Sequence, residues 1–212
     1  MSQQKIILVG GGGHCKAAID VIESNPVYEI LGILDVEEKV GETVLNYPII
    51  GTDKEIERYA SLDISFLITV GQIKSDHIRK KIFDELRQLE AKLATIISST
   101  AYVSKHAIIG QGSIIMHHAT INAGAVIGCN NIINTSANVE HDVTIQDHCH
   151  ISTHTTINGG CHIGSGVFIG SNSVLSQGIS VADQVIIGAG TVVNKSIPSS
   201  GTFAGVPFKR IK

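Results

Sequence analysis

The sequence predicts two domains of different class: a small Rossmann-like α/β domain at residues 1–98 and a parallel β-helix at residues 99–212. In the first part, short apolar runs alternate with amphipathic segments, which is typical of a parallel sheet with helices on its faces. From Ala101 onward an aliphatic residue recurs every six residues instead, which is the pattern of a hexapeptide β-helix.

In the α/β domain, strands are predicted from the apolar runs KIILVG, EILGILD, ISFLITVG and AKLATII. Helices are predicted from HCKAAIDVIESN, DKEIERYA and DHIRKKIFDELRQLE, of which the last is strongly amphipathic. The alternation of the two kinds of segment implies that the strands are parallel.

The first strand runs into four consecutive glycines, Gly10 to Gly13, followed by His14. A glycine-rich turn between a strand and a helix N-terminus lets backbone N–H groups approach phosphates. As a dinucleotide fingerprint the turn is imperfect, because Cys15 stands where a third glycine is expected. The domain is also half the size of a two-lobed dinucleotide fold, so a bound redox cofactor is disfavoured.

Sixteen hexads fill residues 101–196 without an insertion, and the third residue of every hexad is Val, Ile or Leu. The first residue is mostly small, and the fourth is often Gly or Asn, which tolerate turn geometry. Each hexad should form one side of a triangular prism, so that three hexads close a coil of 18 residues. Coils then lie about 4.8 Å apart, and residues 18 apart in sequence are stacked neighbours.

Composition excludes several classes of protein. The net charge of −3 argues against nucleic acid as the main partner. No apolar stretch of about 18 residues is present, and no signal-peptide pattern follows the first strand, so we expect a cytoplasmic protein without a transmembrane helix. The four cysteines form no CxxC pair, which indicates reduced thiols.

Eight of the ten histidines lie in the repeat, and a metal site is the first hypothesis that they raise. Zinc needs several ligands that converge on one point, and on this prism stacked ligands would be 18 residues apart. No two of the eight histidines have that spacing, and His118 and His154 share a column but lie two coils apart. A metal site within one subunit is therefore disfavoured, whereas one between subunits stays open.

His141 is the candidate for catalysis. It is the fifth residue of its hexad, at a corner of the prism, and its stacked neighbours Ala123 and Gly159 are small, which leaves room for a substrate. An imidazole can take a proton at neutral pH, and the Gly159 amide could meet a developing oxyanion. The flanking Glu140 and Asp142 could orient the ring, and the pattern does not say which does. An outward histidine is also compatible with plain surface.

Two further polar residues have both an ordinary and a functional interpretation. His150, at the second position of its hexad, is either a solvated side chain on a face or a contact to a thioester cofactor. Asn134, at a fourth position, either makes the turn or faces a substrate.

The stretches VGGGGHCK, ITVGQIKSDHIRKKI, IINTSANVEHDVTI and FAGVPFKRI resemble the left-handed β-helix sugar acyltransferases related to the sialic acid O-acetyltransferases. The likeness is greatest to the bacterial N-acetyltransferases that act on UDP-linked 4-amino-4,6-dideoxy sugars, as in bacillosamine synthesis. GDP-perosamine N-acetyltransferases resemble the chain almost as well. The resemblance implies a left-handed coil, a homotrimer with active sites between subunits, acetyl-CoA as co-substrate and no metal.

The resemblance also implies roles for residues of the β-helix. His141 corresponds to the general base of the family and Asp142 to the acidic residue that assists it. Asn134 corresponds to a residue near the substrate, and His150 and Gly159 to residues near the acetyl group of the cofactor. In the basic C-terminal stretch, which has no acid after Val185, the GVPFK segment resembles a coenzyme A contact, and this implicates Lys209.

In the α/β domain the resemblance implies a nucleotide-sugar site made of Gly11, Gly12, Gly13, His14, Asp35, Gly71 and Gln72. Val36 replaces a second Asp that some relatives carry, so the nucleotide base, UDP or GDP, stays open. Two other functions stay open as well: O-acetylation of a sugar such as sialic acid, and a non-catalytic β-helix that acts as a scaffold or sugar-binding module.

Overall fold

The computed structural model describes residues 3–25 and 27–212, and its first domain is an α/β sandwich. Its elements are β1 Gln4–Val9, α1 Gly13–Glu23, β2 Tyr28–Leu34, β3 Thr43–Val44, β4 Tyr47–Gly51, α2 Ile56–Ala60, β5 Ser65–Ile68, α3 His77–Gln88 and β6 Lys92–Leu93. The strands form one sheet in the order β3-β4-β2-β1-β5-β6. All neighbours are parallel except β3 and β4, an antiparallel pair that the sequence patterns did not predict.

Helices cover both faces of this sheet, as the alternation of strands and helices predicts. On one face α1 buries Cys15, Ala18 and Ile19 against Ile6 and Leu8 of β1. On the other face α3 packs its apolar side against the opposite side chains of β1 and β5. A fully buried Ile or Leu side chain contributes roughly 1.5–3 kcal/mol to stability.

The second domain is a parallel β-helix whose coil begins at Ile96, inside the predicted AKLATII strand. That run is divided between the domains, because Lys92–Leu93 joins the first sheet and Ile96–Ile97 pairs with Ile114–Ile115. The strands of the coil are β7 Ile96–Ile97, β8 Tyr102–Val103, β9 Ile108–Ile109, β10 Ile114–Ile115, β11 Thr120–Ile121, β12 Val126–Ile127, β13 Ile132–Ile133, β14 Asn138–Val139, β15 Thr144–Ile145, β16 His150–Ile151, β17 Thr156–Ile157, β18 His162–Ile163, β19 Phe168–Ile169, β20 Val174–Leu175, β21 Ser180–Val181, β22 Val185–Ile187 and β23 Val192–Val193. A terminal pair, β24 Gly201–Ala204 and β25 Lys209–Arg210, completes the domain.

These strands stack into three sheets that are the faces of the prism. The first face holds β7, β10, β13, β16, β19, β22, β24 and β25; the second holds β8, β11, β14, β17, β20 and β23; the third holds β9, β12, β15, β18 and β21. Pairing follows the predicted spacing of 18 residues, as in Ile115 with Ile133. Third-position and first-position side chains point inward and form one aliphatic core.

The turns of the prism differ from the sequence interpretation in one respect. The left-handed backbone conformation occurs at the sixth position of the hexads, as in Asn130 and Asp142, and not at the Gly- and Asn-rich fourth position. A fourth-position glycine has another role: a Cβ on Gly110 would lie 2.5 Å from the carbonyl carbon of Gly128 in the next coil. Glycine is needed there for close approach between coils.

The α/β domain packs on the first face of the prism. Outward residues Ile96, Ile114 and Ile132 share a buried cluster with the inner side of α1. This contact places the carboxyl ends of β1 and β5 beside the first face. Among the described residues, no helix is long and apolar enough to cross a membrane.

Candidate active site

His141 lies at the corner where the chain passes from the second to the third face. This His141 corner consists of Glu140–Asp142 with the stacked turns 122–124 and 158–160. The His141 side chain is 55% exposed, and its Nδ1 lies 2.9 Å from Asp142 Oδ2. A carboxylate oxygen accepts, so Nδ1 is the donor of this pair, and in the imidazole tautomer with its proton on Nδ1 the lone pair is on Nε2.

The structure pairs His141 with Asp142 and gives Glu140 a different role. Asp142 is in the left-handed conformation, with a φ of 61°, which turns its carboxylate back toward the preceding ring. Glu140 instead accepts hydrogen bonds from the side-chain amides of Asn138 (3.1 Å) and Asn122 (2.9 Å), which hold the pKa of Glu140 below its usual range. Glu140 therefore joins two neighbouring coils through its hydrogen bond with Asn122.

Gly159, one coil above His141, contributes both space and a hydrogen-bond donor. A Cβ at Gly159 would lie 2.6 Å from Cε1 and from Nε2 of the ring and 3.1 Å from Cδ2, so the face of the imidazole lies against the glycine. In the equivalent turn one coil below, the amide of Ala123 donates a hydrogen bond to Oδ1 of the preceding Asn122. The residue before Gly159 is also an asparagine, Asn158, but its side chain donates to the carbonyl of Leu175 instead. Within the described residues, no acceptor for the Gly159 amide is found. This leaves the amide available to an oxyanion.

Apart from the His141 corner, the structure has a cleft at the carboxyl edge of the α/β sheet, where ligands of such sheets bind. Its volume is about 490 Å³, and Gly10, Asp35, Val36, Asp53 and Val70 are among its lining residues. A Cβ on Gly10 (φ 106°) would lie 2.5 Å from Cγ2 of Val70, so glycine is required where the turn passes the end of β5.

Asp35 follows β2 as predicted, and it organises the glycine turn. Its carboxylate accepts from the amides of Gly11 (2.9 Å) and Val36 (2.8 Å) and from the Lys39 ammonium (3.0 Å). Burial opposes ionisation, but the Lys39 hydrogen bond and the two amides outweigh it and lower the pKa of Asp35. The Gly11 amide is thus already occupied, contrary to its predicted use as a phosphate donor.

The other glycines of the turn fit the predicted site. A Cβ on Gly12 or Gly13 would meet nothing within 4 Å, so their backbone faces open space. Gly12 is the N-cap residue of α1, and no side chain of the described residues caps this helix. Free N–H groups and the helix dipole together favour an anion at this position.

His150 and Asn134 are brought together at the junction of the domains. His150 is 8% exposed, so it is not the solvated side chain that one interpretation of the pattern allowed. Its Nδ1 donates to the Gln72 carbonyl (2.7 Å), and its Nε2 accepts from the Asn134 amide (3.0 Å). In the single chain, both ring nitrogens are therefore engaged, and the predicted contact of His150 with acetyl-CoA stays a prediction.

His14 lies beside His150, with 6.4 Å between ring centroids, and its buried Nε2 has no partner among the described residues. Burial, with the nearby charge of Arg79 and with His150, lowers the pKa of His14 to about 3. Gly71 adjoins the Cβ of His14, and the roles of His14, Gly71 and Gln72 in the substrate site stay predictions.

The buried histidines predict a pH-dependent stability. Burial lowers the pKa of His150 to about 4, below its value in the unfolded chain, near 6.5. Between these two pKa values the unfolded state binds more protons than the folded state. The free energy of unfolding therefore has its full value above pH 6.5 and decreases as the pH is lowered from there. The slope is at most about 1.4 kcal/mol per pH unit for each histidine.

Urea denaturation from pH 7.5 to 5 measures this effect. The variant His150→Gln should show a shallower dependence on pH than the wild type. His162→Gln is the matched control, because His162 has the same second position in its hexad but is exposed. Equal slopes in His150→Gln and the wild type would contradict the assignment.

Within one chain, the structure does not bring all predicted site residues together. Asn134 and His150 lie by the first face with the α/β domain, whereas His141, Asp142 and Gly159 lie at the His141 corner, one side of the prism away. Lys209 is in β25 at the last coil, exposed, with no side-chain partner among the described residues.

Sequence reasoning missed Arg79, which is buried at the junction of the domains. A signal was present, because Arg79 lies three, four and seven residues before Ile82, Phe83 and Leu86 on the apolar side of the amphipathic helix.

Comparison with known proteins agrees with this architecture. Residues 5–86 match the PglD N-terminal domain, and residues 160–195 match the bacterial transferase hexapeptide (six repeats). UDP-N-acetylbacillosamine N-acetyltransferase of Bacillus subtilis (strain 168) is 34% identical over 113 residues. That alignment covers 52% of this chain and 50% of the relative, so it spans about half the length of each.

Solved structures match along the whole chain. The acetyltransferase domain of PglB from Neisseria gonorrhoeae FA1090 is 33% identical, with a TM-score of 0.91, over 99% of this chain and 100% of that chain. The same domain has been solved in complex with acetyl coenzyme A. PerB from Caulobacter crescentus, in complex with CoA and GDP-perosamine, is 27% identical, with a TM-score of 0.91, over 100% of this chain and 99% of that chain.

These matches confirm the predicted fold class, an α/β domain followed by a left-handed β-helix of hexapeptide repeats. The chain belongs to the family of hexapeptide-repeat acetyltransferases that carry a PglD N-terminal domain.

Proposed function

We propose that the protein transfers an acetyl group from acetyl-CoA to the 4-amino group of a UDP-linked 4-amino-4,6-dideoxy sugar, with His141 as general base. The observation that carries the proposal is the His141 corner: an exposed imidazole whose Nδ1 is held by Asp142 and whose ring lies against Gly159, the amide of which has no acceptor among the described residues. A base and an oxyanion donor side by side are what acyl transfer to an amine requires.

In the proposed reaction, the neutral amine attacks the thioester carbonyl while Nε2 of His141 takes its proton. Asp142 stabilises the imidazolium that forms. The new C–N bond produces a tetrahedral oxyanion, to which the Gly159 amide donates. Collapse breaks the C–S bond, and the proton passes from His141 to the departing thiolate of coenzyme A. The chain's own groups are sufficient for every proton transfer.

The α/β cleft is the proposed site of the nucleotide diphosphate. Its support is the position at the carboxyl edge of the sheet, the uncapped N-terminus of α1 and the open backbone of Gly12 and Gly13. Asp35 supports the turn through Gly11 and keeps further acceptor capacity for the nucleoside.

Acetyl-CoA is the proposed acyl donor because the full-length structural matches were solved with acetyl coenzyme A and with CoA. Lys195, Lys209 and Arg210 form a basic end near the last coil, which suits the phosphates of the cofactor. Because the α/β domain with its cleft packs on the first face and His141 lies one side of the prism away, we propose that a homotrimer completes each site with residues of two subunits.

The second candidate is a GDP-perosamine N-acetyltransferase, which is favoured by the match to PerB over the whole chain. The chemistry would be unchanged, and only the base held by the cleft would differ. The preference for UDP is supported by the higher identities, 34% and 33%, of the bacillosamine enzyme and the PglB domain.

Release of free thiol from acetyl-CoA tests the proposal directly. The protein is incubated with acetyl-CoA and a thiol reagent, and with UDP-linked 4-amino sugars, GDP-perosamine or free sialic acid in separate reactions. We expect release with a UDP-linked 4-amino sugar. Release with GDP-perosamine alone would establish the second candidate, and release with sialic acid alone would establish O-acetylation. No release with any acceptor would favour a non-catalytic role.

Replacing Asp142 with asparagine should lower kcat roughly tenfold or more, because a hydrogen bond to a charged group contributes of that order. Asparagine accepts the left-handed conformation that position 142 needs, so the turn should stay intact. The thiol-release assay at saturating substrates measures the change.

Glu140→Gln is the matched control for Asp142→Asn, since Glu140 is the other carboxylate beside His141 but bonds to Asn122 and Asn138. Its kcat should stay close to that of the wild type. If Glu140→Gln were the more damaging change, the assignment of Asp142 would be wrong.

A further inference from the structure

Arg79 occupies an unusual position for a cation. Its side chain is 1% exposed, in α3, between the floor of the nucleotide cleft and a turn of the β-helix. Nη1 donates to the carbonyls of Ile68 (3.0 Å) and Val70 (2.7 Å), and Nη2 donates to the Asn130 carbonyl (3.0 Å) and to Asn130 Oδ1 (2.7 Å). Within the described residues, no carboxylate pairs with it. Burial lowers the pKa of Arg79 to about 9.

The first pair of acceptors belongs to the cleft. Ile68 ends β5, and Val70 lines the cleft and touches the position of Gly10 in the glycine turn. Two residues further along the chain, the carbonyl of Gln72 accepts a hydrogen bond from the ring of His150, which lies on the first face. Arg79 therefore fixes the segment from which the cleft and its edge are built.

The second pair of acceptors belongs to the β-helix. Asn130 is fully buried at the turn from the third to the first face, in the left-handed conformation with a φ of 54°. Its side-chain amide donates to His148 Nδ1 (3.0 Å), and the His148 ring packs edge-on against Phe83 of α3 at 5.1 Å. Asp76, just before α3, accepts a hydrogen bond (3.1 Å) from Gln184, which lies three coils beyond Asn130.

Stability alone does not explain this arrangement. The same two domains already share an apolar contact through α1 and Ile114, whereas a buried guanidinium without a counter-ion is costly to desolvate. The guanidinium instead fixes the relative positions of two segments, because its planar set of N–H groups donates to carbonyls of both segments at once.

We propose that Arg79 is a positioning residue for acetyl transfer: through Val70 and Asn130 it holds the nucleotide cleft in fixed register with the β-helix. The inference rests on the proposed function, since the cleft must present the sugar amine to an acetyl donor bound along the β-helix. A displacement of about 1 Å between reacting groups can cost on the order of 10² in rate.

The test uses Asn130→Gly, which keeps the left-handed turn and removes the side-chain hydrogen bonds of Asn130 to Arg79 and to His148, while Arg79→Lys changes the Arg79 side of the contact alone. We expect kcat to fall at least about tenfold while the affinity for UDP, measured by titration calorimetry, stays within twofold. Asn130→Asp, which restores an acceptor facing Arg79, should recover most of kcat. Arg79→Lys should lower kcat at least as much as Asn130→Gly, and the double variant should be no worse than Arg79→Lys.

Asn172→Gly is the matched control. Asn172 occupies the same sixth position with a φ of 57°, but it is exposed and distant from Arg79 in the described structure. Its kcat should equal that of the wild type. A role in stability only would lower the melting temperature of Asn130→Gly and leave its kcat unchanged well below that temperature, which would overturn the proposal.

Deuterium exchange separates this proposal from the proposed function. If the wild type transferred acetyl to no acceptor, the proposed function would fail. Deuterium exchange would still show whether Arg79 and Asn130 hold the segment 69–72 in place against the β-helix. Amides of residues 69–72 should exchange faster in Asn130→Gly than in the wild type or in Asn172→Gly. Unchanged exchange together with unchanged kcat would overturn the positioning role.

Discussion

Replacing His141 with alanine should lower kcat by roughly 10²–10⁴-fold, the usual contribution of a general base, and leave the fold intact. The ring is more than half exposed, and its side-chain hydrogen bond is to the adjacent Asp142, so no core packing is lost. The thiol-release assay with the acceptor identified above measures kcat. Size-exclusion chromatography with light scattering shows whether the assembly state survives.

His106→Ala is the control for this substitution, because His106 is another exposed histidine of the repeat, in the first coil, far along the chain from the His141 corner. It should retain the wild-type rate. If His141→Ala also retained it, another group would have to accept the amine proton, and the proposed mechanism would be abandoned. Loss of rate with unchanged KM for both substrates would show an effect on the chemical step alone.

The sequence was sufficient for the architecture because each hexad repeats the same physical requirement. An inward aliphatic residue every six positions can be satisfied only by a coil of three sides, and the stacking of residues 18 apart follows directly. That stacking predicts that Gly159 lies next to His141, and the structure confirms that the two residues are in contact.

The sequence could not decide between Glu140 and Asp142, because the answer depends on one backbone dihedral angle. The left-handed conformation at position 142 turns that carboxylate toward the ring, and the amides of Asn122 and Asn138 hold the other one away. The occurrence of Asn, Asp and Gly at sixth positions was the available signal, and the more obvious fourth-position glycines obscured it.

The contact between the domains was also beyond the sequence patterns. His150 resembled a solvated second-position residue, yet the α/β domain covers it. The outward isoleucines at positions 96, 114 and 132 form a column on the same face and could have indicated that this face is covered. Arg79 stayed hidden for a related reason: its charge suggests an exposed residue, and only its helical spacing with Ile82 and Phe83 suggests burial.

Replacing Gly159 with alanine should lower kcat on the order of 10²-fold without measurable loss of stability. The φ of Gly159 lies outside the left-handed region, so alanine is compatible with its backbone. The added methyl group would lie 2.6 Å from Nε2 of His141 and must displace the ring, which is the free end of an exposed side chain. A base moved by about 1 Å loses much of its effect on rate.

The double variant Gly159→Ala/His141→Ala identifies the cause of that loss. If the methyl group acts by displacing the imidazole, Gly159→Ala should have little further effect once the imidazole is absent, because the two changes remove one interaction. If the two losses instead multiplied, the methyl group would be blocking the approach of the thioester to the Gly159 amide. The comparison therefore separates the space that Gly159 leaves for the base from the hydrogen bond that its amide donates, two roles that a single substitution cannot distinguish.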